Sequence, residues 1–288
     1  MAPPLAGIGG GPRVPRQVAQ RAPANCGYMH SLEQANLAQV EELNQRGGRT
    51  LSMVDLIRAR TISAEMAAYV GHRISQGASL LTAANPGGAG KTALLAAALG
   101  FLPTGMPIAT VDGPHVIAGA EKEAVPHCYL AHEIGSGHWY GYLWGPAVAR
   151  YLALASRLHT VASCLHADTI EEMQAQLTAR PLGVEPSALL AVDLILFMHV
   201  DRARGSGPDG YRRRVAAVYE SDRTAGAHRL IYRWHWERDA FERTAEVAVM
   251  AEVEALAAHL ACLADAGPLT FAGLRQAYLA FLGEVGRA

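Results

Sequence analysis

Up to Gly77 the chain reads as helices separated by polar stops, and beyond it as short apolar runs alternating with helical segments. Ser31 and Gln34 have capping-box spacing and predict a helix to Arg46, stopped by Gly47-Gly48. A second helix is expected over Met53–Ala59. Ser63 caps a third, on which Met66, Val70 and Ile74 share one face before Gly77 ends it. Ser79–Ala84, Pro107–Val111, Cys128–His132 and Thr160–His166 are apolar enough for strands buried on both sides. Lys91–Leu99, Ala147–Leu158 and Thr169–Ala179 have helical spacing. Strand and helix in alternation predict an α/β fold with a mostly parallel sheet flanked by helices.

Further on, Val192–Val200, Arg212–Tyr219 and Arg229–Trp234 predict an antiparallel extension with turns at Gly205–Gly210 and Gly226. Two terminal helices, Thr244–Leu263 and Thr270–Leu282, are split by Gly267-Pro268. The expected organisation is a flexible tail over 1–30, a helical lead-in over 31–76, an α/β core over 77–222, and a strand and helical region over 223–288.

Composition narrows the class. Of 288 residues half are hydrophobic and 18% are charged, enough apolar surface for a sizeable core. A formal net charge of −1 shows no basic excess, so no nucleic-acid partner is expected. The aromatic-basic stretch Arg229–Trp236 reads as side-chain alternation on a strand rather than a base-stacking platform. No apolar run reaches the ~18 residues of a membrane span, and the Pro/Gly-rich Met1–Arg16 lacks a signal-peptide core, so a cytoplasmic protein is expected. Four widely spaced cysteines predict free thiols, and His127, His132 and His138 with Cys128 match no zinc spacing.

The sharpest chemistry lies at Asn85-Pro86-Gly87-Gly88-Ala89-Gly90-Lys91-Thr92, between an expected strand and an expected helix and followed by Ala93. Glycines allow successive N–H groups to turn toward a phosphate, and the following helix N-terminus adds partial positive charge. A lysine then reaches the terminal phosphates and a Ser/Thr hydroxyl holds Mg²⁺, the places of Lys91 and Thr92. The departure is Asn85, where the pattern G-x-x-x-x-G-K-[ST] has glycine; asparagine tolerates positive φ better than most residues. Ligands in such sheets bind at the C-terminal strand ends. Three strand-end groups are therefore candidates for the terminal phosphate: Asp112, Glu133 and His166.

In this order the segments resemble the type II/IV secretion-system ATPases, a family with a RecA-like P-loop fold. LSMVDLIRARTISAEMAA with GASLLTAA resembles the helical lead-in of that family. NPGGAGKT resembles its Walker A, IATVDGP its Asp box, YLAHEIGSG its Walker B and SCLHADT its His box, collinear over about Leu51–Tyr219. The resemblance implies ATP and Mg²⁺ as cofactors, with Lys91 on the phosphates and Thr92 on the metal. It further implies that Asp112 polarises the attacking water, that Glu133 fills the Walker B role, and that His166 senses the γ-phosphate. It also implies an oligomer, a hexamer or an assembly with a paralogous ATPase subunit, set against an inner-membrane platform protein and driving secretion or pilus assembly.

Here the Asp box has a single acid, Gly113–Pro126 lacks an arginine-rich insert, and only three helices precede Ser79. An arginine finger is worth about 10³–10⁵ in rate in comparable enzymes. The alternative is therefore a catalytically degenerate nucleotide-binding subunit with a structural or regulatory role. A P-loop kinase of a small metabolite would need an arginine-rich lid. The nearest basic cluster, Arg202–Arg214, is expected to face solvent or a neighbour.

Overall fold

The computed structural model describes residues 26–44, 48–201 and 210–286. Along the chain run α1 (Cys26–Glu42), α2 (Met53–Arg58), α3 (Ala64–Ser75), β1 (Leu80–Ala83), α4 (Lys91–Leu99) and β2 (Ile108–Thr110). Then come α5 (Pro114–Ala120), β3 (Cys128–Ile134), β4 (Tyr142–Leu143), α6 (Ala147–Ala153), β5 (Thr160–Leu165), α7 (Ile170–Thr178) and α8 (Pro186–Leu189). The rest is β6 (Leu194–Asp201), β7 (Arg212–Asp222), β8 (Ala227–His235), β9 (Ala240–Arg243), α9 (Met250–Ala266) and α10 (Phe271–Val285).

The strands form one sheet in the order β2-β3-β5-β1-β6-β7-β8-β9, with β4 pairing on β3. From β2 to β6 the pairings are parallel, and from β6 to β9 they are antiparallel. This is the mixed α/β fold expected. β1 and β5 are buried at every position, as strands covered on both faces must be. Their side chains alternate between two cores. Leu80, Ala162 and Cys164 pack with residues of α1–α4, α9 and α10 such as Met66, Leu94 and Leu256. Leu81, Val161 and Leu165 pack on the other face with α5–α8, through residues such as Ile117, Tyr151 and Met173.

The lead-in and the chain's end share one layer. Tyr69 of α3 meets Tyr232 of β8 edge-on at 5.4 Å, and Phe101 meets Tyr278 of α10 at 4.9 Å. Arg275 is buried and grips both Glu33 oxygens at 2.9 and 3.0 Å, joining α10 to α1.

Several expectations change. α1 begins at Cys26, so Ser31 lies inside the helix rather than capping it; the rest of the expected tail falls on residues 1–25, outside the described residues. The turn expected at Gly205–Gly210 lies outside them too, except for Gly210. Val192–Val200 is expected in the antiparallel extension, but β6 pairs parallel to β1 and antiparallel to β7, so it joins the two halves. The sheet continues unbroken across residue 222 through β7 and β8.

Of the basic cluster Arg202–Arg214, the described arginines 212–214 turn inward, and Arg202 and Arg204 lie outside the described residues. Arg212 meets Asp201 at 2.9 Å and lies over the Trp234 ring, and Arg214 makes a two-pronged pair with Asp239 at 2.7 and 2.8 Å. On β8, Tyr232 and Trp234 are buried while Arg229 and Arg233 are exposed, but Ile231 is buried too, where the β7–β8 register shifts, and Trp236 is exposed, so alternation accounts for only part of the aromatic-basic stretch. Among the described cysteines Cys128 and Cys164 are buried free thiols and Cys262 is an exposed one. No described helix is long and apolar enough to cross a membrane.

The Tyr151 hydroxyl stands between the Tyr129 and Ala162 carbonyls of β3 and β5, 3.0 and 2.8 Å away, inside the second core. Tyr151→Phe is expected to lower unfolding free energy by about 1–2 kcal/mol, measured as a shifted urea midpoint with unchanged m-value.

Candidate functional site

β1 has no polar outlet along its length, so the chain's change of character at Asn85 sets where chemistry can occur. Pro86 starts a turn closed by the Ala89 N–H donating to the Pro86 carbonyl at 3.4 Å. The left-handed conformations of the loop fall on Gly88 (φ 81°) and Gly90 (φ 99°). Gly90 is also crowded, since a Cβ there would sit 3.2 Å from Met198 Cε. It is the N-cap of α4, whose apolar run Leu94–Leu99 is buried, so this helix end is fixed by the core behind it.

Lys91 opens α4 and bends back over the loop. Its Nζ donates to the Ala84 carbonyl at 3.0 Å and lies 3.3 and 3.5 Å from the two ring nitrogens of His166. His166 follows β5, the strand next to β1. Its Nδ1 is 2.8 Å from the Asn85 carbonyl and its Nε2 is 3.2 Å from Glu133 Oε1. A neutral imidazole can donate to only one of these oxygens, whereas imidazolium can donate to both. Glu133 lies on β3, one strand further. Three adjacent strand ends therefore bring a cation, an imidazole and a carboxylate into one connected group.

Gly87, Gly88, Ala89, Gly90, Lys91, Thr92 and Ala93 line a cleft of about 660 Å³ with Glu133 and His166, within the size range of ligand pockets. The Thr92 hydroxyl is beside the Cys164 thiol, which burial pushes up to about 11. Asn85 and Pro86 do not line the cleft.

Asp112 also stands apart. It is 42% exposed, paired with His115 at 3.4 Å, and does not line the cleft. Topology explains this: β2 is three strands from β1, about 14 Å at ordinary strand spacing.

The far walls of the cleft come from the helical lead-in and from residues after β3. Arg49 reaches it while held by both Asp55 oxygens at 2.6 and 2.7 Å, and Asn44 and Leu51 lie beside it. Trp139 and Tyr142 line it with Glu133, and Trp139 is 67% exposed. An arginine and two aromatics outside any motif carry no local signal; only their proximity to the loop marks them.

Behind the loop, Arg213 of β7 donates through Nε to the Gly88 carbonyl at 2.8 Å. Of the histidines near Glu133, His132 also lines the cleft. His132 is buried, meets Tyr140 edge-on at 5.4 Å, and donates its backbone N–H to the Gly141 carbonyl at 2.7 Å. Gly141, at φ 72°, lies so close to the His132 ring that a Cβ would sit 2.5 Å from it. Among the described residues no three His, Cys, Asp or Glu side chains converge as metal ligands.

No family model matches the chain, and no curated protein does. Among solved structures, the VirB11 ATPase from the Brucella Suis type IV secretion system, in complex with sulphate, is similar. The likeness has a TM-score of 0.40 and 15% identity over 53% of this chain and 51% of that one, so the chain matches about half of that protein's length. At that level the likeness assigns no function to this chain.

Burial holds His132 down to about 4, and the same cause lowers His72, His159 and His228. Each is neutral in the native protein under conditions where the unfolded chain binds a proton. Stability is therefore expected to be full above pH 6.5 and to fall as pH drops from 6.5 toward 4. Proton uptake on unfolding near pH 5 checks this. It should decrease by close to one proton in His132→Phe.

Proposed function

We propose that this chain binds a nucleoside triphosphate in the cleft around Lys91, and that it is an ATPase of the type II/IV secretion or pilus-assembly kind. The observation that carries the reading is the chain of contacts from Lys91 through His166 to Glu133, none longer than 3.5 Å, beside the glycine-rich loop that leads into α4. A Cβ at Gly87 would meet no described atom within 4 Å. The donor set fits an anion: the α4 N-terminus, the loop amides and one ammonium group.

Thr92 is the residue that would hold Mg²⁺, which when bound supplies charge neutralisation between the phosphates. Lys91 would exchange the Ala84 carbonyl for phosphate oxygens. Glu133 would orient the attacking water and take its proton, and His166 would hold the terminal phosphate end. By the same resemblance the working form is an oligomer, a hexamer or an assembly with a paralogous subunit, facing an inner-membrane platform protein from the cytoplasm.

Asp112 favours a second reading. In the family pattern that carboxylate polarises the water, and here it lies beyond the cleft. This supports a degenerate subunit that binds nucleotide without turnover.

Titration calorimetry with ATP and Mg²⁺ should give an affinity at least about tenfold weaker for Lys91→Ala, through loss of its charge-assisted contacts. Equal affinity would end the nucleotide reading. Steady-state phosphate release should drop to background in Glu133→Gln; no release above background from the unaltered protein would select the degenerate subunit.

A further inference from the structure

Asn85 replaces the glycine of the phosphate-loop pattern, and its backbone does not need that glycine. Among the described non-glycine residues only Arg60 and Asp239 have positive φ. Its side chain is used instead. The Asn85 N–H donates to Asp168 Oδ1 at 2.7 Å, and Asn85 Nδ2 donates to Glu172 Oε1 at 2.7 Å. The Asp168 N–H donates to the other Glu172 oxygen at 2.8 Å. Three short bonds close a circuit between the start of the loop and the first turn of α7. Its carboxylates accept from N–H donors, the strong kind of hydrogen bond.

The Asn85 backbone extends the circuit to the cleft, because its carbonyl lies 2.8 Å from His166 Nδ1. Capping of α7 does not require Glu172's carboxylate, since the Thr169 hydroxyl already accepts the Glu172 N–H. We propose that Asn85 and Glu172 are positioning residues: a clamp that fixes the Asn85 carbonyl and through it the His166 ring facing Glu133. Its effect on turnover rests on the nucleotide reading above. Its hold on the ring does not.

The test follows the His166 ring nitrogens by NMR in the full chain without nucleotide, assigned with His166→Gln. Asn85→Gly removes the side-chain arm, and Asn85→Asp sets a carboxylate against Glu172. Both should shift the His166 signals. Combining Asn85→Asp with Glu172→Gln reverses the donor and acceptor while keeping all three bonds, and should restore them. Glu172→Gln alone, on an exposed turn, carries the same comparison if Asn85→Gly does not fold.

With ATP and Mg²⁺, Asn85→Gly is expected to lower kcat about tenfold with KM changed less than about twofold, the split of a misplaced group rather than a lost binding contact. Unmoved His166 signals in the single variants, or a double exchange that fails to restore them, overturn the clamp. Equal loss in kcat and in affinity overturns its catalytic part. Restored signals in a protein that binds no ATP support the clamp and sink the nucleotide reading instead.

Discussion

Complete burial of the central strands governs the rest of this molecule. Leu80–Ala83 and Thr160–Leu165 have helices on both faces and strands on both edges, so neither offers a polar group to water along its length. Polar chemistry can appear only where these strands stop. The loop at Asn85 and the ring of His166 therefore emerge side by side, and Glu133 joins them from the next strand. The order β3-β5-β1 leaves one strand's width between the carboxylate and the lysine, and His166 fills that gap.

The loop is held from several directions. Met198 and Arg213, from the strands where the sheet turns antiparallel, press on Gly90 and bind the Gly88 carbonyl. Asp168 and Glu172 hold Asn85 from the other side. A backbone that must present its amides to a ligand is preorganised when its carbonyls and flanks are already satisfied. The antiparallel half of the sheet thus serves the candidate site as a brace, though none of its described residues lines the cleft.

Much of the fold was legible. Apolar runs of strand length gave β1, β2, β3 and β5 to within a residue or two, the cap Ser63 matched a helix that begins one residue later, and the helix expected over Thr169–Ala179 lies within one residue of α7 at each end. Legibility ended where signals were weak or contradictory. β4 is two residues long, α8 four, and β9 is a half-exposed edge. The cluster Arg202–Arg214 was expected to face solvent or a neighbour because nothing local announces Asp201 and Asp239 as the partners of Arg212 and Arg214. Asp112 resembled a catalytic acid because its strand is as apolar as the others, and strand order is invisible to a reading along the chain.

By itself the sequence determined the alternation of buried strands and helices, and the glycine and lysine pattern of the loop. Both are local: one follows from side-chain periodicity, the other from where positive φ and a charged side chain must sit. Tertiary structure alone decided which strand tips meet. It placed Glu133 and His166 beside Lys91 and left Asp112 about 14 Å along the sheet. It also turned Asn85 toward Glu172, 87 residues later. Those outcomes depend on pairing order and packing between segments remote in sequence, and no local pattern encodes them.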